Sequence, residues 1–276
     1  MSAATELGFR ELPGTRGETV ALLALDRPDS ANAFNNAVIK ELVAALAAVR
    51  ARPGCRALVL RGRGKHFSAG ADLAWMKASA KLSLEDNRRD AQGLTELFES
   101  LATLPLPTVG LVHGSAFGGA VGLTACCDIA IAARSARFCL SEIRLGLMPA
   151  VIVPYLARKM RPGDLRRLAL TARPFGADEA LAAGLVQLVV DDDELETAAR
   201  AELELLLQGA PEAQTDLKIL LQRVVEDSLR QGPHTAEGIA KLRAGPTGQA
   251  GLNAFFDKKP APWAVKLGAE WSLDER

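Results

Sequence analysis

Between Thr19 and Leu25 the chain reads TVALLAL, closed by Arg27-Pro28. A run this short and this uniformly apolar predicts a strand covered on both faces, because a strand open to water on one side would alternate. Arg56–Leu60 (RALVL), Thr108–Val112 (TVGLV) and Ile129–Ala132 (IAIA) have the same character, and Phe138–Leu140 predicts a shorter strand after them. In between, the period changes. Asn36–Arg50 sets Val38, Ile39, Leu42, Val43, Leu46 and Val49 on one helical face, and Pro53-Gly54 stops it. A longer helix begins near Ser83, where Ser83 and Asp86 have capping-box spacing. It runs through Ala91, Leu94, Leu97, Phe98 and Leu101 toward Pro105 and Pro107. Strands that alternate with helices predict a parallel α/β core.

From Pro211 the pattern is helical only. Thr215–Arg230 places Leu217, Leu220, Leu221, Val224 and Val225 on one face, with breaks at Gly232-Pro233 and Gly245-Pro246. We therefore expect a core over residues 1–205 and a helical region over 206–276. The apolar face of that region predicts an assembly element, since the core closes without it.

Charge narrows the partners. The 276 residues carry 33 basic and 33 acidic side chains, and aromatics are only 5%. A neutral chain with few stacking rings argues against nucleic acid and against an acidic membrane. Cys55, Cys126, Cys127 and Cys139 form no C-x-x-C, and His66, His113 and His234 lack metal-ligand spacing, so the thiols read as core residues and no metal is expected. The longest apolar stretch, Ala116–Ala133, contains several glycines and Asp128, which fits a buried helix followed by a strand better than a membrane span. MSAATELGFRELPG has no basic segment ahead of an apolar run, so a cytoplasmic protein is expected.

Two glycine loops carry the candidate chemistry. GRGKHFSAG has Val59 where a P-loop needs glycine and Phe67 where a dinucleotide fingerprint needs its third glycine. HGSAFGG lacks the G-x-S-x-G frame of a nucleophile elbow around Ser115, which disfavours a serine hydrolase. Yet Ser68–Asp72 and Phe117–Gly119 each follow a buried strand and open a helix. Helix N-termini offer unpaired amides and a positive dipole end, so two such loops converging on one thioester carbonyl would hold an enolate oxygen. A plain strand-to-helix turn is the alternative for either loop alone. Asp191–Glu194 (DDDE) reads as an acidic first turn of a helix.

LDRPDSANAF (Leu25–Phe34), KHFSAGADL (Lys65–Leu73), VHGSAFGGAVGL (Val112–Leu123), CDIAIA (Cys127–Ala132) and FCLSEIRLGLMPA (Phe138–Ala150) together resemble the crotonase, or enoyl-CoA hydratase/isomerase, superfamily. Within it, ADLAWMK, GLTACCDIAIA and SEIRLGLMPAVIVPY most resemble the bacterial methylglutaconyl-CoA hydratases of leucine degradation. The resemblance implies a ββα superhelix with a C-terminal helical trimerisation region, a trimer or hexamer, and an acyl-CoA substrate. It implies no cofactor, since coenzyme A belongs to the substrate. It places Ala71 and Gly119 as oxyanion amides, and Arg27, Ala33, Lys65, Ala69, Asp72, Leu73 and Gly118 along the acyl-CoA channel. Phe255 and Lys258 match tail positions that reach a nucleotide, often in a neighbouring subunit. His66 falls by that channel rather than at the reacting carbons. Arg61 and Arg63 beside Lys65 either serve CoA phosphates or form a solvated turn.

Two-glutamate hydratases of this superfamily carry one acid where this chain has Gly122 and the other where it has Glu142. The resemblance therefore gives the proton work to Glu142 alone. Leu140, Ile143, Leu145, Leu147 and Met148 surround it in sequence and predict an apolar pocket that raises its pKa. A glycine at the vacated position implies open volume and one anion fewer, which favours an acyl group with its own carboxylate, with Lys77 or Arg144 as a nearby cation. The leading reading is a hydratase converting 3-methylglutaconyl-CoA to 3-hydroxy-3-methylglutaryl-CoA. The alternatives are a Δ3,Δ2-enoyl-CoA isomerase using Glu142, and a catalytically silent scaffold.

Overall fold

The structure is a computed structural model and describes residues 7–13, 17–79, 82–226 and 245–268. Its centre is a six-stranded sheet of β1 (Leu7–Pro13), β2 (Thr19–Leu25), β3 (Cys55–Gly62), β4 (Thr108–Val112), β6 (Ile129–Ala133) and β9 (Leu188–Val190), adjacent in that order. From β2 to β9 the pairing is parallel, and β1 runs antiparallel along β2 from Leu7 opposite Leu25 to Pro13 opposite Thr19. A smaller sheet joins β5 (Ser115–Phe117), β7 (Arg137–Cys139) and β8 (Phe175–Gly176). The strands anticipated from the apolar runs are present with bounds shifted by a residue or two.

Their uniformly apolar character follows from burial on two sides. Ala21, Leu23 and Leu25 of β2 enter one core with Leu58 and Leu60 of β3, while Val20 and Leu22 enter a second with Ala57 and Val59. Alternate side chains on a strand point to opposite faces, so both registers must be apolar. The first core is closed by α1 (Asn36–Ala51), α3 (Leu84–Ala102) and α4 (Gly119–Cys126). Asn35 caps α1 through Val38 N–H, and Ser83 caps α3 through Asp86 N–H at 3.1 Å. The cap at Ser83 is the one its spacing predicted.

The second core is closed by α8 (Leu195–Leu206), through Ala199 and Leu203, and by Val265 and Leu267 near the chain end. Arg56 rises through this core to donate to Gly209 O at 2.7 Å and Trp263 O at 3.1 Å. The boundary expected at 205/206 falls in the last turn of α8, and α9 (Pro211–Glu226) follows, with Leu217 and Leu221 exposed. The side chains of Val224, Val225 and Phe255 lie outside the described residues, as do Arg230, His234 and the Gly232-Pro233 break. The acidic run leads into α8 as expected, with Asp191 paired to Arg134 and Asp192 accepting from Ser135.

Candidate active site

An isolated parallel bridge between Ser68 and Ala116 joins the two glycine loops, and a second, between Phe34 and Ala71, ties the first loop to the segment after β2. In a parallel bridge one residue directs both backbone groups at the neighbours of the other. Phe34 N–H donates to Gly70 O at 2.7 Å, and Asp72 N–H donates to Phe34 O at 2.8 Å. Ala71 is thereby left with its own amide turned away from Phe34. On the other side Ser68 N–H donates to Ser115 O at 2.9 Å, and Phe117 N–H to Ser68 O at 3.1 Å. Gly70 has φ +87°, and a Cβ there would stand 2.5 Å from Phe117 O. Only glycine lets the loops lie this close.

Gly118, with φ 52° and ψ −120°, caps α4 and donates its N–H to Cys139 O at 2.9 Å. Gly119 is the first residue of α4, so its amide has no intrahelical acceptor. Among the described residues neither Ala71 N–H nor Gly119 N–H donates a hydrogen bond. Two unspent amides on adjoining loops form a donor pair suited to a developing oxyanion.

Glu142 begins the 3-10 turn Glu142–Leu145 that follows β7. A Cβ on Gly118 would lie 3.2 Å from Glu142 Oε1, so the carboxyl rests against the backbone one residue before the Gly119 amide. Its Oε2 is enclosed and has no hydrogen-bond partner among the described residues. Burial raises the pKa of Glu142, opposed by a hydrogen bond from its own backbone N–H. An acid whose pKa is raised in this way holds a proton more readily than an ordinary carboxylate, which suits it to proton transfer.

Two expectations are corrected. The apolar sequence neighbours do not enclose Glu142: Leu140 is buried, but Ile143, Leu145, Leu147 and Met148 are exposed, Met148 to 74%. The 3-10 turn faces them outward, and the enclosure comes from across the fold at Gly118. Nor does Gly122 leave open volume. A Cβ there would stand 2.3 Å from Ile152 Cγ2 and 2.9 Å from Phe98 Cε1. An isoleucine and a phenylalanine fill the space a second acid would take. Lys77 and Arg144, the cations suggested for it, are exposed.

Of the channel residues, Arg27 and Asp72 bind each other. Arg27 Nη1 and Nη2 lie 3.3 and 3.2 Å from Asp72 Oδ2, and Nη1 donates to Ala33 O at 2.7 Å. Asp72 Oδ1 accepts from Ala74 N–H at 2.9 Å and Trp75 N–H at 3.2 Å at the start of α2 (Leu73–Ser79). The Trp75 amide, with that of Ala74 and the Arg27 guanidinium, holds the Asp72 carboxyl below its ordinary pKa against the opposing effect of burial. Ala33 is buried, while Ala69, Leu73 and Lys258 are exposed, Lys258 with φ +56°. Lys65 and His66 line a cavity of about 730 Å³ with Arg61, His113, Arg137 and Asp192, a lining that includes none of Ala71, Gly119 and Glu142. His66 Nδ1 there accepts from Ser115 N–H at 3.2 Å, and Arg63 pairs with Asp26 at 2.9 Å.

Asp128, the acid that ends the glycine-rich helix, is structural: its Oδ2 accepts from Thr108 N–H, Thr108 Oγ and Lys218 Nζ at 2.7–2.9 Å. Three of the four cysteines are buried, and burial pushes the Cys127 thiol up to about 12. Sequence reasoning gave no role to Asn32 and Ser68, although both stand in the quoted segments. Both are fully enclosed, and nothing in their polar sequence surroundings, RPDSANAFNN and GKHFSAGAD, marks them as buried.

The chain belongs to the enoyl-CoA hydratase/isomerase family, whose model matches residues 15–266. It is similar to an enoyl-CoA hydratase of Shewanella pealeana, 43% identical at a TM-score of 0.88, covering 94% of this chain and 96% of the other. Pseudomonas aeruginosa AtuE gives 38% identity and a TM-score of 0.88 over 94% and 99% of the two chains. The enoyl-CoA hydratase ACTT6 of Alternaria alternata is 30% identical over 242 residues, 82% of this chain and 79% of that protein. Among the described residues no helix is long and apolar enough to cross a membrane.

Proposed function

We propose that this enzyme hydrates a branched, carboxylated enoyl-CoA, with 3-methylglutaconyl-CoA as substrate and 3-hydroxy-3-methylglutaryl-CoA as product. The observation that carries the chemistry is a single enclosed carboxyl, Glu142, resting on Gly118 beside the free Gly119 amide. The thioester oxygen accepts from the Ala71 and Gly119 amides, which lowers the energy of the enolate relative to the ground state. Water adds to C3 while Glu142 takes its proton. The same carboxyl then protonates C2, the enolate electrons return to the C2–H bond, and Glu142 ends as a carboxylate. The acyl group rests on the ordered likeness of ADLAWMK, GLTACCDIAIA and SEIRLGLMPAVIVPY, not on space at Gly122. Within residues 206–276, α9 serves assembly in this reading, consistent with the exposed Leu217 and Leu221. Leu207, Val265 and Leu267 instead complete the second core, which, contrary to the expectation from the sequence, does not close without them.

The packing of Ile152 and Phe98 around Gly122 favours a second reading, because one acid suffices to move a proton between C4 and C2 of a 3-enoyl-CoA. One assay separates the two. Crotonyl-CoA, 3-methylglutaconyl-CoA and a 3-enoyl-CoA are compared by kcat/KM. The highest value should belong to 3-methylglutaconyl-CoA, and a 3-enoyl-CoA turned over faster overturns the hydratase reading.

A further inference from the structure

Asn32 is 1% exposed and Ser68 is fully buried, and among the described residues their side chains hydrogen-bond to backbone groups. The Asn32 side chain makes three hydrogen bonds, one accepted and two donated. Its Oδ1 accepts from Arg27 N–H at 2.8 Å, and Nδ2 donates to Arg63 O at 2.8 Å and His66 O at 2.7 Å. Its own carbonyl accepts from Ser68 Oγ at 2.8 Å, and that oxygen accepts from Gly70 N–H at 3.1 Å. The residue has φ +55°, a left-handed conformation that asparagine adopts more readily than most side chains.

These bonds tie two pieces of chain together, the segment after β2 and the loop between β3 and α2. Arg27 follows β2, Arg63 and His66 belong to the loop after β3, and Ser68-Gly70 is the turn that presents Ala71. The same turn is bonded to Ser115 and Phe117, next to Gly118 and Gly119. Asn32 also lies two residues before Phe34, whose bridge to Gly70 and Asp72 turns the Ala71 amide outward. The Asn32 side chain thus anchors the N-terminal side of the loop that carries the first proposed oxyanion donor, and the Phe34 backbone holds its other side.

We propose that Asn32 is a positioning residue for the oxyanion site: its side chain holds the loop at Arg63 and His66 and thereby its own main-chain carbonyl against Ser68, which sets the direction of the Ala71 amide. This rests on the reading of Ala71 and Gly119 as the donors to the thioester oxygen. It predicts that loss of the Asn32 side chain harms polarisation of the bound acyl group more than it harms binding. A conjugated 2,4-dienoyl-CoA reports this directly, since its absorbance moves to the red as donors polarise the carbonyl.

The experiment uses the full chain. Asn32→Gly keeps the left-handed backbone accessible and removes the side chain. Ser68→Ala removes the relay with little change in volume and carries the test if Asn32→Gly does not fold. The red shift is read in a Glu142→Gln background to suppress turnover, and kcat and KM are read without that change. For Asn32→Gly we expect kcat to fall roughly tenfold or more with KM within about threefold, and the shift to drop below about half. Ser68→Ala should move both readouts in the same direction by less. An undiminished shift in a folded variant, or a rise in KM at constant kcat, overturns the positioning role. No shift with Asn32 and Ser68 both intact overturns the donor assignment itself, and the proposal with it.

Discussion

Replacing Gly122 by alanine tests whether packing sets the number of acids in this site. Gly122 sits inside α4, where alanine would ordinarily stabilise a helix by about 1 kcal/mol relative to glycine. Here the new methyl would stand 2.3 Å from Ile152 Cγ2, with Ile152 Cβ and Phe98 Cε1 each at 2.9 Å. Carbon atoms in contact prefer about 3.5–4.0 Å, so Ile152 must move by more than an ångström. Overpacking of this kind costs about 1–3 kcal/mol. Taking its middle value against the helical gain, Gly122→Ala should destabilise by about 1 kcal/mol. Ile152→Ala is costly alone, at about 2–5 kcal/mol, but it removes the nearest clashing atom. In that background the contacts at 2.9 Å remain, so Gly122→Ala should cost less than it does alone, giving a coupling energy of about 1 kcal/mol. Urea unfolding of the four proteins at one fixed concentration, with equal slopes, measures it. If Gly122→Ala stabilises the protein by itself, or the coupling falls below about 0.5 kcal/mol, the packing argument is wrong.

Glu142→Gln should lower kcat by about a hundredfold or more while coenzyme A still binds, because one acid–base group contributes about 10²–10⁴; a variant keeping a third of the rate refutes the role. The same substitution should raise stability above about pH 5, measured by thermal unfolding. The folded pKa of Glu142 is raised by burial, so its charge disfavours folding above that range, and the gain should close as pH falls through the ordinary carboxylate range. A gap constant with pH contradicts this. Gly118→Ala would put a methyl 3.2 Å from Glu142 Oε1 at a backbone of φ +52°, so turnover should fall with unchanged far-UV circular dichroism; an unaffected rate shows that Glu142 does not need this seat.

The parts of the fold legible in the sequence are those with one dominant period. TVALLAL and TVGLV could be read because both faces of those strands are buried, and α1 because one face is. β1, LGFRELP, was not anticipated: it is a mixed run on the sheet edge, and its pairing with β2 gives no apolar period. α2 was missed because it buries no residue fully. At the site, Ala71, Gly119 and Glu142 were found through motifs, and the structure brings their segments together. The surroundings of Glu142 and Gly122 were not legible. They are set by Gly118, Ile152 and Phe98, which tertiary packing, rather than sequence adjacency, brings there.

The outward-facing residues beside Glu142 couple two processes. Ile143, Leu145, Leu147, Met148 and Val153 leave apolar surface on the rim of a turn whose first residue is the acid. Any body that covers this rim removes water from the neighbourhood of the carboxyl and strengthens its hold on a proton. Linkage makes the effect mutual: whatever raises proton affinity on covering is itself bound more tightly as the solution becomes more acidic. The acidity of Glu142 is in this sense set by whatever covers this rim as well as by the folded chain.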